Sequence, residues 1–465
     1  MSFRSLLKGS FLLGSILLSL ASRAVGQADT ASISGVITDA TGGTIAEATV
    51  ELQSVDRGSV TMTKTNAAGI YVFASVQPGP YRLSVRMVGF HQVDLLNLIV
   101  NTQDHIEQNF QLQIGSTSES ITIESEAPLV NTTDASLGRS FETRQVEQLP
   151  IEGRNVVELL SLQPGVSYLG NQINADRDSR SGSVNGARSD QSNVTLDGVD
   201  VNDQSKGYAF TSVLRNTQDS IQEFRVATSN ANADAGRSSG AQVSLVTKSG
   251  TNSFHASAYE YNRNAAFTAN DYFNKRTQLG NGEPNRQPQL IRNVFGGSAG
   301  GPIKKDRLFF FANYEGRRDR EGVEEVRKVP TTSYRQGILT YYVDGAQGFT
   351  TTTLTPTDLK NMDPLGIGES QAVLAALQQY PLPNDPTLGD GLNQQGFRFV
   401  ANEARKFDTY IAKFDYKITR DGRHAIFWRG NLQNDNSGGL HNFPARRRRL
   451  VRSTTARALH SAILQ

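Results

Sequence analysis

Asp197, Asp200 and Asp203 are three carboxylates close together in the chain, and oxygen-rich groupings of this kind bind Ca²⁺ in other proteins. The calcium loop with this spacing needs Gly at its sixth position for a sharp turn and Glu at its twelfth to close the site with two oxygens. Counted from Asp197, those positions hold Asn202 and Tyr208. The sequence therefore predicts no calcium site here.

The other residue types that carry out catalysis form no recognisable pattern either. The 6 histidines lack the HExxH spacing of a zinc site, and the 0 cysteines exclude thiolate ligands, Cys nucleophiles and disulfides. Gly296–Gly301 is not followed by the GK[ST] of a phosphate-binding loop, and in a strand such glycines let the backbone bend or approach closely. We predict no catalytic residue, no metal and no cofactor, hence a protein that is not an enzyme.

The aspartates instead belong to a predicted hairpin within a mixed α/β unit, residues 140–250. Val194–Leu196 alternates apolar and polar residues and runs into Asp197-Gly198, a dipeptide that favours a tight turn because Gly tolerates positive φ. Short helices are predicted before Pro150 and before Pro164-Gly165, since proline ends a helix. Alternation predicts strands over residues 221–227 and 241–247.

The charge of the chain is unevenly distributed. The formal net charge is +2, but 9 of the 47 basic residues lie in the first 24 and the last 21 residues, which hold no acid. Residues 25–444 therefore have 38 basic and 45 acidic groups, a net charge of −7. A mildly acidic body argues against nucleic acid as a partner. No apolar run reaches the roughly 18–20 residues of a membrane-spanning helix.

Residues 1–28 have the order of a secretory signal peptide. Arg4 and Lys8 form a positive end, Phe11–Leu20 is an apolar core, and Ala24 and Ala28 are candidate cleavage points. The apolar core is too short to cross a bilayer. We therefore expect the protein to be exported.

Residues 29–115 predict a small β-sandwich. Short alternating segments are separated by turn signals, and they lie at Ile33–Asp39, Ala48–Leu52, Ile70–Phe73 and Tyr81–Val85. Closely spaced strands of this kind are typical of a sandwich.

Residues 251–444 contain two predicted hairpins with charged turns. The first runs from Arg292–Phe295 through a turn at Lys304–Arg307 into Leu308–Glu315. In the second, apolar and charged residues alternate before a turn at Arg420–Arg423, with Tyr410, Ala412, Phe414, Tyr416 and Ile418 on one face and Lys413, Asp415 and Lys417 on the other. Strands of about ten residues with this alternation are typical of transmembrane β-barrels, although each hairpin alone also fits a half-exposed sheet of a soluble sandwich. Tyr410, Tyr416 and Trp428 are the residue types of an interfacial girdle.

An ordered set of motifs in residues 140–250 resembles the plug domain of TonB-dependent outer-membrane receptors, specifically the Oar-like group. The motifs are LPIEGRN at 149–155, QPGV at 163–166, NG at 185–186, LDG at 196–198, EFRV at 223–226 and VTKSGTN at 246–252. The residues that carry the resemblance are Pro150, Gly153, Arg154, Pro164, Gly165, Asn185, Gly186, Asp197 and Gly198. Residues 29–115 are similar to a carboxypeptidase regulatory-like domain of the carbohydrate-binding-like fold. The resemblance implies a mainly β protein in which that sandwich, a mixed α/β plug and part of an antiparallel transmembrane barrel at 251–444 follow one another.

The resemblance also implies a function. Such a receptor lies in the outer-membrane lipid, binds an extracellular ligand such as a carbohydrate or peptide, and transports it with energy transmitted by periplasmic TonB. The linker at 116–139 then holds the candidate TonB box: Ser120, Ile121, Thr122, Ile123 and Glu124. TonB would grip it by β-augmentation, in which an extended peptide adds a strand to a partner's sheet. The same five residues equally fit a strand that completes the preceding domain.

Two other functions also fit parts of the sequence. An exported carbohydrate-binding or adhesion protein would use the N-terminal sandwich, whereas a carboxypeptidase lacks its metal ligands. Related barrels have about 22 strands, and an open arc with exposed edges is unstable in lipid, so we expect this chain to be a truncated form. Residues 445–465 are basic and show no strand alternation, which predicts a disordered or frameshifted tail.

Overall fold

The computed structural model describes much of the chain between Thr30 and Leu464. The described residues are 30–115, 120–124, 135–149, 151, 154, 156–168, 182–188, 191–203, 208–212, 214–231, 239–270, 272–280, 282, 284–345, 348–419, 424–437, 443 and 453–464. The predicted signal peptide, Pro150, Gly153 and residues 445–452 lie outside this set. Within it, no helix is both long and apolar enough to cross a bilayer.

The first unit, here called the N-terminal sandwich, consists of two facing sheets. Its strands are β1 (Ala31–Asp39), β2 (Thr49–Ser54), β3 (Val60–Lys64), β4 (Ile70–Val76), β5 (Gly79–Arg86), β6 (Gln92–Val100), β7 (His105–Glu107), β8 (Phe110–Leu112) and β9 (Ser120–Glu124). One sheet has the order β4-β1-β7 with β8 also on β1, and the other has the order β3-β2-β5-β6-β9. The predicted sandwich is confirmed.

The core of the N-terminal sandwich follows from strand alternation. In β1, every second residue from Ala31 to Ile37 is buried, because successive side chains of a strand point to opposite faces. Leu83 and Val85 of β5 are fully buried, and with Tyr71 of β4 they belong to the same apolar cluster. This apolar cluster joins the two sheets, so the N-terminal sandwich has its own hydrophobic core.

The second unit, here called the central unit, is a mixed α/β structure. It contains β10 (Leu137–Glu142), α1 (Thr143–Gln148), a 3-10 helix (Val156–Leu162), β11 (Val166–Tyr168), β12 (Gly182–Val184), β13 (Ala187–Arg188), β14 (Asn193–Leu196), β15 (Val199–Asp200), β16 (Asn202–Asp203), β17 (Tyr208–Ser212), a 3-10 turn (Gln218–Ser220), β18 (Ile221–Ser229) and β19 (Gln242–Thr247). The main sheet has the order β10-β18-β19-β14-β15. Its β14 and β19 are parallel neighbours and its other pairs are antiparallel.

The central unit has one apolar face on this sheet. Phe224 and Val226 of β18 and Leu245 of β19 pack against Leu159 and Leu160 of the 3-10 helix. Glu223 and Arg225 of β18 and Ser244 of β19 alternate with these apolar residues and face the other way.

The third unit, here called the wall, is a long antiparallel sheet. Its elements are β20 (His255–Asn264), a 3-10 turn (Ala265–Phe267), α2 (Tyr272–Gly280), β21 (Leu290–Lys304), β22 (Leu308–Pro330), a 3-10 turn (Tyr334–Gln336), β23 (Leu339–Gly345), β24 (Gly348–Leu354), α3 (Pro356–Met362), α4 (Gln371–Leu377), β25 (Asp385–Gly389), β26 (Gln394–Lys417), β27 (Ala425–Ser437) and β28 (Ser453–Leu464). The sheet has the order β20-β21-β22-β26-β27-β28, with β25 also on β26. Its path does not return to β20, so the described barrel is not closed.

The two faces of the wall differ as the alternation predicted. Tyr410, Phe414 and Leu432 are 47%, 40% and 47% exposed on one face. Lys413 and Arg429 are only 6% and 2% exposed on the other, which the central unit covers. One sheet therefore presents aromatic and aliphatic groups on one side and buries charges on the other.

The wall strands connect differently at their two ends. Residues 305–307 join β21 to β22, and residues 418–424 join β26 to β27. At the opposite end, residues 331–393 connect β22 to β26 and include the β23–β24 hairpin and α3, whose first turn is capped by Thr355 and Asp358. Short turns at one end and long loops at the other are typical of outer-membrane barrels.

Two features of the wall differ from the sequence expectations. β22 and β26 span 23 and 24 residues rather than about ten, and they pair along their whole length. Ser453–Leu464, expected in a disordered tail, pairs with β27 from Ile426↔Leu464 to Ser437↔Ser453. Backbone pairing with an existing strand edge provides that order without an apolar sequence pattern.

Candidate functional site

The Asp197-Gly198 turn is the first element that joins the central unit to the wall. Asp197 has φ +49° and Gly198 φ +80°, the two positive values that the predicted tight turn requires. The turn closes a hairpin in which Leu196 pairs with Val199. The Asp197 carboxyl is thereby placed at the tip of β14 and β15.

The Asp197 carboxylate lies in a buried cluster of charges. Lys413 Nζ of β26 donates to Oδ1 at 3.0 Å, and Arg429 Nε of β27 lies 3.1 Å from Oδ2. Thr247 contributes its backbone N–H at 3.0 Å and its hydroxyl at 2.6 Å. The side chains of Asp197, Lys413 and Arg429 are 2%, 8% and 2% exposed. One carboxylate of the central unit thus binds two cations of the wall out of contact with water.

Burial alone raises the pKa of the Asp197 carboxyl. The charges of Lys413 and Arg429, with the hydrogen bonds from Thr247, outweigh burial and hold that pKa below its ordinary value of 3.8. Asp197 is therefore an anion at any physiological pH, and its ionic attraction to Lys413 and Arg429 of the wall persists over that range.

Arg154 forms a second buried contact between the same two units. Its guanidinium pairs with Asp219 of the central unit and, through Nε at 3.3 Å, with Glu315 of β22. It also lies over the rings of Tyr259 and Tyr261, 4.9 and 4.4 Å from their centroids. Arginine suits such a place because it pairs with carboxylates and stacks on aromatic faces at once.

Arg215 forms a third contact, which the sequence did not reveal. Its two terminal nitrogens each lie 3.0 Å from an oxygen of Asp435 in β27, a bidentate geometry. Its guanidinium is 4.3 Å from the centroid of the Phe407 ring. An arginine in a polar loop has no periodic signal, and its partner is 220 residues away in the chain.

Two other predicted motifs meet within the central unit. Gly165 has φ +78°, and a Cβ added there would lie 2.0 Å from Asn185 Oδ1. The Asn185 backbone N–H donates to the Gly165 carbonyl at 2.8 Å, and Asn185 and Gly186 both have positive φ. Pro164, Gly165, Asn185 and Gly186 thus form one paired turn. Their described contacts lie inside the central unit, away from Asp197 and Arg154.

The segment Ser120–Glu124 is an edge strand of the N-terminal sandwich. It pairs in parallel with β6, from Gln92↔Ser120 to Leu96↔Glu124. Its other edge has no neighbour among the described strands. This position agrees with a strand that completes the sandwich, and it leaves backbone groups free for another strand.

A contact between the N-terminal sandwich and the central unit completes the arrangement. Thr102 donates its backbone N–H to both oxygens of Glu223, at 3.0 and 2.8 Å, and its hydroxyl at 2.9 Å. Arg225 donates to the Thr102 carbonyl at 2.7 Å and to Asp104 at 2.6 Å. Burial raises the pKa of Glu223 to about 7, and the bonds from Thr102 limit the rise.

Among the described residues, no three His, Asp or Glu side chains converge to hold a metal ion. The buried charged groups described above are paired between units instead. The geometry therefore suits holding and releasing one unit against another.

Comparison with known proteins agrees with this architecture. Residues 246–461 match the family described as Outer membrane beta barrel domain, and residues 32–113 match the Carboxypeptidase regulatory-like domain. A curated relative, the TonB-dependent transporter Oar of Myxococcus xanthus, is 24% identical over 261 residues, which cover 54% of this chain and 23% of the relative. The chain thus spans about a quarter of the length of that relative.

Two solved structures are similar at low sequence identity. The outer membrane transporter YddB of Escherichia coli aligns at 12% identity and TM-score 0.38, over 65% of this chain and 33% of its own. A ferric enterobactin receptor of Pseudomonas aeruginosa aligns at 12% identity and TM-score 0.36, over 64% and 33%.

The order of the two matched domains and the curated relative bear out the resemblance that the motifs carried. Residues 246–461 are thus similar to an outer membrane β-barrel domain, residues 32–113 to a carboxypeptidase regulatory-like domain that precedes it, and part of the chain to a TonB-dependent transporter of the Oar type.

Proposed function

We propose that this chain forms the N-terminal part of a receptor that binds an extracellular ligand and moves it across the outer membrane with energy transmitted by TonB. The observation that carries the proposal is the buried contact of Asp197 with Lys413 and Arg429. It holds a polar unit against the charged face of a sheet whose other face is apolar. Desolvating three charges is costly, so the contact depends on the carboxylate and both cations staying paired with one another.

The central unit, residues 140–250, is proposed as the plug. Its contacts with the wall are mostly ionic or hydrogen bonded, including Arg154–Glu315, Arg215–Asp435 and the 2.7 Å bond from Thr217 to Asn313. Polar contacts of this kind hold a unit firmly in place, yet water can replace them when the unit moves. This suits a plug that must be displaced during transport.

The apolar face of the wall is proposed to contact outer-membrane lipid. Tyr410, Phe414 and Tyr416 of β26, and Ile418 directly after it, are all exposed on that face. A membrane crossing needs about 9–11 residues of tilted strand, so part of β22 and β26 extends beyond the bilayer. The long connection at residues 331–393 lies at that end and is proposed to face outwards, where it would meet an external carbohydrate or peptide.

Ser120–Glu124 is proposed as the TonB box, within a linker at residues 116–139. Support comes from its free edge, because β-augmentation needs unpaired backbone groups on an extended segment. The signal peptide at residues 1–28 is proposed to export the chain, and residues 29–115 and 251–444 are proposed as the sandwich and the barrel part.

The test is binding and uptake in parallel. Thr122→Pro removes a backbone donor from β9, so a pull-down with TonB should lose the receptor, and ligand uptake should fall to the level of TonB-deficient cells. Thr63→Pro is the matched control, since it places the same change in β3, the opposite edge strand of the same sheet, and should keep TonB binding. TonB binding that survives Thr122→Pro would contradict the box. Uptake that does not depend on TonB would favour an exported binding or adhesion protein instead.

A further inference from the structure

The loop that follows β6 is held by the central unit at several points. Thr102 is 0% exposed and donates three hydrogen bonds to the Glu223 carboxylate. The amide of Gln103 donates to the Ser244 hydroxyl at 3.0 Å. Arg225 reaches back to Asp104, with the two side chains 13% and 25% exposed. Residues 101–104 therefore form a fixed junction between two domains rather than a loose contact.

The junction uses the inner strands of the plug sheet. Glu223 and Arg225 belong to β18 and Ser244 to β19, which lie side by side in the order β10-β18-β19-β14-β15. They point to the face opposite the apolar core that Phe224 and Leu245 form. A force applied at this face acts on β18 and β19, which are hydrogen-bonded to the other strands of the plug sheet.

The proposed TonB box pairs with the strand that ends in this junction. Ser120–Glu124 pairs in parallel with residues 92–96 of β6, and β6 continues to Val100 and directly into the junction loop. Leu96 and Thr102 are six residues apart, which is at most about 20 Å of backbone because Asn97 has φ +57° and departs from the extended conformation. A stiff connection thus runs from the box, across a strand pair, to the centre of the plug.

The covalent route from the box to the plug ends at a weaker point. Residues 125–136 lead from Glu124 to Leu137 at the start of β10, an edge strand whose one neighbour among the described strands is β18. Tension at the end of an edge strand breaks its hydrogen bonds one after another, whereas tension along a pair of parallel strands loads their bonds together. A force transmitted through residues 125–136 alone would separate β10 from β18 before it moved the rest of the plug.

We propose that the N-terminal sandwich transmits the pull of TonB to the plug through the junction of residues 101–104 with Glu223, Arg225 and Ser244. This inference rests on the proposed TonB-dependent function. The free edge of β9 takes the partner strand while its other edge stays on β6. The regulatory-like domain, here called the lever, then transmits force from the TonB box to the plug.

The experiment follows plug movement by the accessibility of a thiol. Thr217→Cys places the single cysteine of the chain at a site that is 0% exposed between the plug and Asn313 of the wall. In outer membranes of energised cells, a maleimide should label it in a TonB-dependent manner. Reversing one charge of the junction, by Arg225→Asp or Asp104→Arg, should lower that labelling rate about tenfold, because it turns an attraction into a repulsion.

A charge exchange separates transmission from misfolding. The double change Arg225→Asp with Asp104→Arg restores an ion pair of reversed polarity, and should recover most of the labelling. Pull-down with TonB should be equal for the parent and all three variants, since none alters β9. The matched control is Arg139→Asp in the neighbouring strand β10, whose described contact is with the ring of Phe141 and not with the sandwich.

The outcomes distinguish the inference from the function on which it rests. Labelling of the parent that does not depend on TonB overturns both. TonB-dependent labelling that persists unchanged in the single reversals overturns the lever alone, as does a double variant that stays as low as the single ones. Loss in the single reversals with recovery in the double variant is the result that supports it.

Discussion

Removing the charge of Asp197 is the most direct test of how the plug is held. Asp197→Asn keeps the size of the side chain and an acceptor for the Thr247 N–H, which lies 3.0 Å from Oδ1. It leaves Lys413 and Arg429 facing each other without an anion. The change removes the negative charge and also replaces the acceptor oxygen that faces the Thr247 hydroxyl and Arg429 with a donor amide.

The expected magnitude follows from burial. The three side chains are 2–8% exposed, so the two remaining cations cannot recover hydration unless the plug moves. Breaking a buried pair by removing one partner costs about 3–5 kcal/mol, which corresponds to more than a hundredfold in an equilibrium constant. We expect the free energy of plug release to fall by about that amount.

The assay is protease cleavage of the plug in the purified receptor at increasing urea concentration. Cleavage reports the population of the open form when opening and closing are faster than cutting. Asp200→Asn is the matched control, since Asp200 is exposed in the same hairpin and surface changes usually shift stability by about 0.5 kcal/mol or less. Equal shifts for Asp197→Asn and Asp200→Asn would refute the argument.

The pH dependence of the same release provides an internal check. The folded pKa of Asp197 lies below 3.8, so its contribution is present above that pH and is lost only as the pH falls through the folded pKa. Plug release attributable to Asp197 should be constant from pH 7 to about pH 4. The Asp197→Asn variant should lack the acid-dependent loss below that range.

Three further outcomes are expected. The folded pKa of Glu223 is raised from 4.5 to about 7. The contact between the N-terminal sandwich and the central unit should therefore be most stable below pH 4.5 and lose up to about 3 kcal/mol as the pH rises through 7. Glu223→Gln should make the separation of the two domains, measured by proteolysis, independent of pH in that window. Gly165→Ala should lower the unfolding temperature of the central unit more than Gly186→Ala, because both have positive φ but only the first Cβ meets an atom, Asn185 Oδ1 at 2.0 Å. Arg154→Gln should ease plug release by about 3 kcal/mol in the urea assay, since it leaves the buried Glu315 carboxylate without its cation; Arg154→Lys should recover only part of this, because lysine does not stack on the rings.

The faces of the wall were predictable because they follow from local alternation. Phe414 and Lys413 are neighbours in sequence, and their opposite exposure follows from the geometry of any strand with one covered face. The Asp197-Gly198 turn was equally local, since only a few dipeptides accept two positive φ values. Both conclusions needed no knowledge of distant parts of the chain.

What those residues contact could not be derived in the same way. The sequence marks Asp197 as a turn residue, but its partner Lys413 is 216 residues away and is chosen by the docking of two units. Glu223 and Arg225 appeared as alternating charges in a strand, with no sign of the domain that covers them. Contacts of this kind depend on how the domains dock, and local patterns in a single sequence do not report that docking.

The lengths of the strands were underestimated for a different reason. The distal halves of β22 and β26 carry charge pairs such as Arg398–Glu324 and Arg405–Glu321 among a few buried apolar residues such as Val329 and Phe399. Alternation of hydrophobicity is the signal of a strand with one covered face, and charged residues that interrupt the apolar ones weaken it. β28 escaped detection similarly, because residues 453–464 are largely small, with Ala, Ser and Thr at most positions.

The polar character of the contact between plug and wall has a consequence for the working life of the receptor. An interface closed by apolar side chains would expose an apolar surface every time it opened, and each opening would risk aggregation. Here the surfaces that separate carry carboxylates, guanidinium groups and hydroxyls, which water solvates readily once it enters. The attraction weakens as water enters the gap, so under the proposed function the central unit can leave the wall and return without exposing an apolar surface.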